Sequence, residues 1–317
     1  MKWIWLIAAL VGTSVMAQTW PTKPVRVIVT FSPGGSSDIV ARLIAAPLQQ
    51  ELGQSVIVDN KPGAGGTIGA LEAARAAPDG YTLLLSNSAP ISISPAMQDQ
   101  PRYDPVTSFT HVSYIGSVAN VFVVHPSVPA TTLRELVGWI NAQPHPVNYG
   151  SGGIGSIGHI VGETLKKDQG LKMEHVGYKG SAPMHNDLLS GTIKLAIDTL
   201  PQNVPFMKDG KLRALAVTSP ARAKMAPDIP SVLELGQKKL VAENFLGISG
   251  PAGLPPPVVT RLDAAMKKAL GNPTVQQRLS ELGVQGKEMT PAEFTAFVVN
   301  QVKEWLQPVK DSGAKLN

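Results

Sequence analysis

The chain of 317 residues contains no cysteine. This absence excludes disulfide bonds, zinc sites built on cysteine, iron–sulfur clusters and thiol catalysis. Charged residues are also scarce, at 16% of the chain against a typical share of about 25%. Together with 43% hydrophobic residues, the low charge excludes a disordered tail protein and a highly charged nucleic-acid binder. The length predicts two domains of ordinary size.

Glycine and proline, by contrast, are abundant. The 30 glycines and 27 prolines form about 18% of the chain, where about 12% is usual. They follow no three-residue period, which excludes a collagen-like protein. The excess therefore predicts many tight corners between strands and helices.

The amino terminus has the pattern of a secretory signal peptide. Lys2 precedes a short apolar run over residues 3–11, and Val15-Met16-Ala17 supplies small residues for a cleavage site after Ala17. The run is too short for a membrane anchor, which needs about 20 apolar residues. We therefore expect an exported, periplasmic protein, and cleavage lowers its formal charge from +5 to +4 by removing Lys2.

Short β-branched runs alternate with amphipathic segments along most of the chain. Strands are predicted near residues 25–30, 55–58, 81–85, 121–124, 147–149, 195–197 and 212–217, and helices near 39–53, 68–76, 132–142 and after 159, 258 and 290. This alternation is typical of an α/β protein with a mainly parallel sheet flanked by helices. The pattern changes near residue 118 and then restarts, which indicates a second unit.

Two helix starts carry the pattern of a capping box. Thr132 stands three residues before Glu135, and Thr290 stands three residues before Glu293 with Pro291 between them. Both sequences predict reciprocal side-chain to backbone hydrogen bonds, and Pro291 fits the first helical position.

Two turns rich in glycine and serine are the strongest functional signals. Residues 31–38 (Phe-Ser-Pro-Gly-Gly-Ser-Ser-Asp) and residues 150–159 each follow a predicted strand and open a predicted helix. Glycine lets backbone N–H groups converge, and a helix N-terminus adds unpaired donors and partial positive charge. Each turn alone is explained as a tight corner capped by Ser36, Ser37 or Ser156. The repetition of the pattern favours one anion held between both turns.

Cofactor and metal chemistry have weaker support. Gly150, Gly152 and Gly155 match the spacing of a dinucleotide fingerprint, with Glu174 about 20 residues later. Nicotinamide cofactors are not expected outside the cytoplasm, so export argues against this interpretation. His159 and Glu163 stand four residues apart, but two ligands are too few for a metal site. We expect neither a cofactor nor a metal.

Catalysis by a serine nucleophile is a further alternative. His159 with Ser151 or Ser156 and Asp198 supplies the residue types of a triad, although no nucleophile elbow is present. Asp198 follows an apolar strand, where a carboxylate either faces a ligand, braces a loop or caps a helix. Before another predicted helix, Tyr178 is a candidate pocket wall and Ser181 a candidate cap.

Taken in order, these segments resemble the Bug, or TctC-like, family of periplasmic solute-binding proteins from tripartite tricarboxylate transport systems. The resemblance covers nearly all of the chain after residue 19. Its marks are residues 20–24 (Trp-Pro-Thr-Lys-Pro), 31–38, 60–66 (Asn-Lys-Pro-Gly-Ala-Gly-Gly), 78–82 (Pro-Asp-Gly-Tyr-Thr), 150–159, 178–180 (Tyr-Lys-Gly) and 210–217.

The resemblance implies a two-lobed, hinged periplasmic-binding-protein fold of the Venus flytrap, type II-like kind. Lobe one is expected to comprise residues 18–117 and 247–317, and lobe two residues 118–246, after a signal peptide of residues 1–17. A small carboxylate would bind between turns of both lobes. Carried over by position, the ligand-binding residues are Phe31, Ser32, Pro33, Gly34, Gly35, Ser36, Ser37, Ser86, Asn87, Ser88, Ser151, Gly155, Ser156, His159, Tyr178, Lys179, Gly180 and Asp198.

Two departures from the family pattern concern the ligand more than the fold. The family often has Val-Pro before Tyr-Lys-Gly, where this chain has Val176-Gly177, and Asn-Pro after the third strand, where it has Ser94-Pro95. The family's ligands therefore transfer to this chain less directly than its architecture does.

The leading hypothesis is a non-catalytic receptor that delivers a small organic carboxylate to a membrane permease. We expect it to act as a monomer without nucleic acid. Two alternatives remain open at this point: a ligand-binding module that serves a signalling partner, and an exported serine hydrolase.

Overall fold

The computed structural model describes residues 20–316. The predicted signal peptide and its cleavage site after Ala17 lie outside the described residues. The described part contains nine strands: β1 (Val25–Val29), β2 (Val56–Asn60), β3 (Thr82–Asn87), β4 (Phe109–Val124), β5 (Val147–Ser151), β6 (Met173–Gly177), β7 (Leu195–Thr199), β8 (Arg213–Val217) and β9 (Glu243–Pro251).

Nine α-helices lie within the same residues: α1 (Ser36–Leu52), α2 (Thr67–Ala74), α3 (Leu133–Asn141), α4 (Ile157–Gln169), α5 (Ser181–Leu189), α6 (Leu200–Lys208), α7 (Pro256–Gly271), α8 (Pro273–Glu281) and α9 (Pro291–Ser312). A π-helical turn, Ala89–Ile93, follows β3. No helix between residues 20 and 316 is both long enough and apolar enough to cross a membrane.

The strands form one continuous mixed sheet in the order β2-β1-β3-β9-β4-β7-β5-β6, with β8 also paired to β4. The outer strands are parallel: β1 pairs with β2 and β3, and β5 pairs with β6 and β7. The parallel outer strands agree with the predicted α/β class. The two central strands β4 and β9 instead run antiparallel to their neighbours.

Strand β4 joins the two halves of this sheet. Its residues from Phe109 to Ala119 pair with β9, and its residues from Asn120 onward pair with β7 and β8. The sequence signal of changing pattern near residue 118 therefore falls where β4 passes from one half to the other. The chain returns through β9, so two antiparallel strands connect the two lobes.

Each lobe has its own apolar core. The first is built on β1, β3 and α1 with α7, and the second on β7, β5 and α4. Helix α9 contributes to both. Its residues Phe294 and Val298 pack in a core cluster of lobe one, whereas Trp305 and Val309 pack in the main cluster of lobe two.

One predicted capping box is present and the other is only half formed. At α9, Thr290 accepts the Glu293 N–H, and Glu293 accepts the Thr290 N–H. At α3, Thr132 accepts the Glu135 N–H at 3.1 Å, as predicted. The Glu135 carboxylate, however, accepts from the backbone and hydroxyl of Thr131 instead of Thr132. The prediction of the reciprocal bond is therefore wrong by one residue, because the Glu135 carboxylate reaches one residue further back along the chain.

Candidate functional site

A cavity of about 60 Å³ lies between the two lobes, in front of β4 and β9, the two strands that connect them. Its walls come from β1–α1 and the end of β3 on one side, from the starts of α4, α5 and α6 on the other, and from β4 and β9 behind. The lining residues are Phe31, Gly35, Ser36, Ser37, Asn87, Ala89, Asn120, Gly152, Ser156, Ile157, Gly158, Gly180, Ser181, Ile197, Asp198, Thr199 and Asn244.

Four helix N-termini converge on this cavity. The residues concerned are Ser36 and Ser37 in α1, Ile157 and Gly158 in α4, Ser181 in α5, and Thr199 immediately before α6. In the described residues, the N-cap residues of three of these helices, α1, α5 and α6, make no side-chain hydrogen bond to the first turn. Free N–H donors and partial positive charge are thus available from several directions.

No lysine, arginine or histidine is among the described residues that line the cavity. Among these described residues, Asp198 alone is ionisable. An anion in this space would therefore be held by backbone dipoles and hydroxyl groups instead of by a cationic side chain.

The turn that precedes α1 is held from outside the cavity. Asp38 accepts from the Gly34 N–H at 2.9 Å and from Asn60 at 3.0 Å, and it pairs with Arg42. Asn60 also donates to the Phe31 carbonyl at 2.9 Å. Burial would raise the pKa of Asp38, but the hydrogen bonds from Arg42, Gly34 and Asn60 outweigh it and keep the pKa below its ordinary value. Asp38 is a brace that fixes the turn, consistent with its place in the first turn.

The turn that precedes α4 is held by two histidines, of which His159 is buried and His175 is half-buried. The Gly155 N–H donates to Nδ1 of His159 at 3.2 Å. The imidazole rings of His159 and His175 stack with their centroids 3.9 Å apart, and Nε2 of His175 lies 2.7 Å from the Ser151 hydroxyl. Burial lowers the pKa of His159 to about 4 and that of His175 to about 3. Both rings are therefore neutral at pH 7 and support the loop from behind.

Asp198 joins the starts of α5 and α6 at the cavity wall. It accepts from the Ser181 hydroxyl at 2.9 Å, from Asn203 at 3.4 Å and from the Thr199 backbone. Nε2 of His185 lies 3.6 Å from Oδ2, the oxygen that also accepts from Asn203. The side chain is 4% exposed, and this burial raises its pKa above the ordinary value.

The lobes contact one another on both sides of the cavity. On one side, Gln202 donates to the Gly34 carbonyl at 3.5 Å. On the other, Gly155 is so close to lobe one that a Cβ there would lie 2.6 Å from the Ser94 hydroxyl and 3.4 Å from Cα of Gly65. The two lobes therefore meet on both sides of the cavity that lies between them.

The structure brings eight of the eighteen predicted site residues to the cavity: Phe31, Gly35, Ser36, Ser37, Asn87, Ser156, Gly180 and Asp198. The other ten lie nearby but outside its lining: Ser32, Pro33, Gly34, Ser86, Ser88, Ser151, Gly155, His159, Tyr178 and Lys179. Each of these ten lies on a predicted turn or strand end, and two of them, Gly34 and Gly155, have no side chain.

Several of the ten have identifiable structural partners. Tyr178 donates to Asp187 at 2.7 Å on α5, and Lys179 is exposed. Ser86 accepts from Ser249 at 3.0 Å. The hydroxyl of Ser88 accepts the Phe245 N–H, so it ties β3 to β9.

The residues of the hypothetical triad are not assembled. His159 is bonded to Gly155 and stacked on His175, whereas Asp198 is bonded to Ser181 and Asn203. Ser181 donates to the carboxylate directly, with no imidazole between them. Among the described residues, the His159 ring makes no hydrogen bond to Ser151 or Ser156, and Ser151 instead lies 2.7 Å from His175. The contact by which His159 would activate a serine is therefore not formed. Ser181 was a candidate cap, but Gly180 occupies the N-cap position of α5.

The wall formed by β4 and β9 was not predicted from the sequence. Asn120 on β4 and Asn244 on β9 both line the cavity. Each is a lone amide inside an apolar run, with Val118 to Val124 around the first and Phe245 to Ile248 beside the second. A polar side chain in such a run was the available signal. Gly152 and Gly158 were not predicted individually, although they belong to the predicted turn 150–159, and Thr199 directly follows the predicted Asp198.

Comparisons with known proteins agree with this geometry. The sequence model of the family described as "Tripartite tricarboxylate transporter family receptor" matches residues 40–313. Protein BugT of Bordetella pertussis (strain Tohama I) is 34% identical over 314 residues, which cover 99% of this chain and 96% of BugT.

Two solved structures are similar over their whole length. The periplasmic binding protein BugD is 34% identical with a TM-score of 0.87, covering 93% of this chain and 99% of BugD. R. palustris Rpa4515, solved with adipate, is 33% identical with a TM-score of 0.88, covering 93% of this chain and 99% of Rpa4515. The likeness confirms the predicted two-lobed periplasmic-binding-protein fold.

Proposed function

The chain belongs to the tripartite tricarboxylate transporter receptor family, and from this premise we propose that it captures a small organic carboxylate between its two lobes. It is a solute-binding receptor of a periplasmic family, and we propose that it hands its ligand to a membrane permease. The main support for a carboxylate ligand is that four helix N-termini converge on a cavity whose described lining residues include no cationic side chain.

The electrostatics of the cavity favour a negatively charged ligand. Each helix N-terminus contributes roughly half a positive charge together with unpaired N–H groups. In an enclosed space these dipoles replace water around the anion, and the ligand therefore stabilises the closed state. A micromolar dissociation constant corresponds to roughly −8 kcal/mol. Several charge-assisted hydrogen bonds of about 1.5–3 kcal/mol each, less the cost of ordering, supply that amount.

Support for this ligand class also comes from the adipate in the similar structure of Rpa4515. Adipate is a dicarboxylate, so a protein of the same fold accommodates a carboxylate. We propose Ser36, Ser37, Ser156 and Gly180 as the ligand-facing residues of the helix starts. Asp198 would hold α5 and α6 in place.

The proposal also includes the bounds of the two lobes, the absence of catalysis, the monomeric state and the start of the mature chain. Residues 18–117 with 247–317 form lobe one, and residues 118–246 form lobe two, except that the second half of α9 packs against lobe two. The protein acts without catalysis, as a monomer. Its mature chain starts at Gln18, which mass spectrometry of the periplasmic protein would check.

Isothermal titration calorimetry of the mature protein tests the ligand class. Mono-, di- and tricarboxylates, amino acids and aromatic acids are titrated, and each binder is repeated as its amide. We expect binding of at least one acid and none of its amide, since an amide offers no charge to the helix N-termini. If the folded protein bound none of these acids, or bound acid and amide equally, the carboxylate proposal would fail.

A further inference from the structure

Three asparagine side chains form the back wall of the cavity. Asn87 ends β3, Asn120 lies on β4 and Asn244 lies on β9. The side chains of two of them make hydrogen bonds within the protein. Asn87 donates to the Thr30 hydroxyl at 3.3 Å and accepts the Ala89 N–H at 3.1 Å, and Asn244 accepts the Ser88 N–H at 3.2 Å.

Asn120 differs from the other two. Its backbone is fixed, because its N–H donates to the Thr218 hydroxyl at 2.9 Å and its carbonyl accepts the Thr218 N–H at 2.8 Å. Its side-chain amide makes no hydrogen bond to any of residues 20–316, and its Oδ1 is buried without a partner. The residue is only 4% exposed, so bulk water does not satisfy it. A buried amide without partners destabilises the protein unless something else binds to it.

The position of Asn120 suggests what binds to it. The helix N-termini of both lobes surround the front of the cavity and accommodate a carboxylate. Asn120 lies at the back of the cavity, on β4. The cavity of about 60 Å³ holds roughly four to six groups of the size of a water molecule. A ligand of that size has a carboxylate and little more than one further polar group.

On the basis of the proposed carboxylate function, we propose that Asn120 recognises a hydroxyl group of the ligand, which makes the preferred ligands short hydroxycarboxylates. A hydroxyl both donates and accepts, so it satisfies the acceptor and the donor of one amide. A second carboxylate only accepts, and it would leave Oδ1 unpaired. An ammonium group only donates, and the helix N-termini around it would repel it. The oxygens of Asp198 already accept from Ser181, Asn203 and Thr199, so little accepting capacity is left there for an ammonium group.

Matched pairs of acids that differ by one hydroxyl test the assignment. Glycolate is compared with acetate and lactate with propionate, by calorimetry on the mature protein. We expect the hydroxylated acid of the best-binding pair to bind at least tenfold more tightly, because its analogue leaves the amide unpaired. In Asn120→Ala we expect the ratio to fall to about twofold or less. Asn120→Leu, closer in volume, repeats the test in case the smaller side chain alters the fold.

Ser37→Ala provides the matched control. Ser37 also lines the cavity, but it belongs to the start of α1, so its loss should weaken both acids of a pair by a similar factor and preserve their ratio. A ratio near one in the unaltered protein, or a ratio that survives in both Asn120 variants, would overturn the role of Asn120. Binding of acids without a hydroxyl preference would leave the carboxylate function standing. Binding of no acid at all would overturn both.

Discussion

The hydroxyl of Ser181 donates a hydrogen bond of 2.9 Å to the buried carboxylate of Asp198. Ser181 is the first residue of α5, and Asp198 stands at the end of β7, just before α6. The bond therefore fixes two helix N-termini relative to one another at the wall of the cavity. If the N-terminal N–H groups hold the ligand, their alignment depends on this carboxylate.

We predict that Asp198→Ala weakens ligand binding at least tenfold and lowers the free energy of unfolding by roughly 1–3 kcal/mol. The reason is that Ser181, Asn203 and the Thr199 N–H lose their common acceptor. Asp198→Asn should cost less stability, since it keeps an acceptor and removes a charge whose burial raises the pKa of Asp198. Urea unfolding and calorimetry measure the two effects.

Asp187→Ala is the control for this comparison. Asp187 also lies on α5, but it accepts from Tyr178 outside the cavity lining. We expect its removal to leave the affinity within about twofold of that of the unaltered protein. Equal losses of affinity in the Asp187 and Asp198 variants would indicate that α5 is merely destabilised in both.

We predict that Gly155→Ala weakens binding about tenfold or more by hindering closure of the cleft. Gly155 has φ of +79°, and an added Cβ would lie 2.6 Å from the Ser94 hydroxyl of the opposite lobe. Ser94 would have to move and give up its bond of 2.8 Å to the Gly65 carbonyl. The left-handed backbone adds about 1–2 kcal/mol for a residue with a Cβ.

Gly170→Ala separates the backbone cost from the cost of closure. Gly170 has a similar φ of +62°, with no atom within 4 Å of an added Cβ. We expect this variant to lose stability but keep its affinity, and Gly155→Ala combined with Ser94→Ala to regain part of the lost affinity. The contact between lobes would not matter if the Gly170 and Gly155 variants bound ligand equally well.

The sequence was sufficient to predict the turns that surround the cavity, because their signals are local. Glycine and serine between a β-branched run and an amphipathic segment predicted the starts of α1 and α4 within a few residues. The direction of each side chain was beyond the same signals. His159 occupies one of these starts, yet it faces the stacked ring of His175 and supports the loop from behind.

The wall formed by β4 and β9 could not be predicted from local pattern alone. Asn120 and Asn244 are 124 residues apart in the chain, and they share one cavity because the two strands pair antiparallel, with Val118 opposite Asn244. Only that long-range pairing shows that two isolated amides belong to the same site. The full length of β4 was missed for a related reason, as tertiary packing outweighs weak local periodicity there.

We predict that stability falls as the pH is lowered from about 6.5 toward 4. The pKa of buried His159 in the folded protein is about 4, below the ordinary 6.5, because burial disfavours the charged ring. Between these values the unfolded chain binds a proton that the folded protein does not. The stability is therefore fully present above pH 6.5 and declines below it, by up to about 1.4 kcal/mol per pH unit for one such histidine.

Urea unfolding at pH 7 and near pH 5 measures this loss. In His159→Gln the loss should be smaller, since glutamine does not titrate and its carbonyl still accepts the Gly155 N–H. His145→Gln is the control, because His145 is exposed. An unchanged pH dependence in the His159 variant would show that its ring does not carry the effect.

Helix α9 connects the cores of the two lobes, and Trp305 is one of its contacts with lobe two. The indole is 8% exposed and packs with Val309 in the cluster around α4, whereas Phe294 and Val298 on the same helix pack in lobe one. We predict that Trp305→Ala lowers the free energy of unfolding by about 3–5 kcal/mol, the usual cost of removing a large buried aromatic side chain.

Because the lost contact joins the lobes, the Trp305 variant should also unfold less cooperatively. We expect its urea transition to broaden or to divide into two steps, as the lobes begin to unfold separately. Leu306→Ala, next to Trp305 but 41% exposed, should unfold in the same transition as the unaltered protein, with a loss below about 0.5 kcal/mol. A single sharp transition in Trp305→Ala, merely shifted to lower urea, would mean that β4 and β9 couple the lobes without the help of α9.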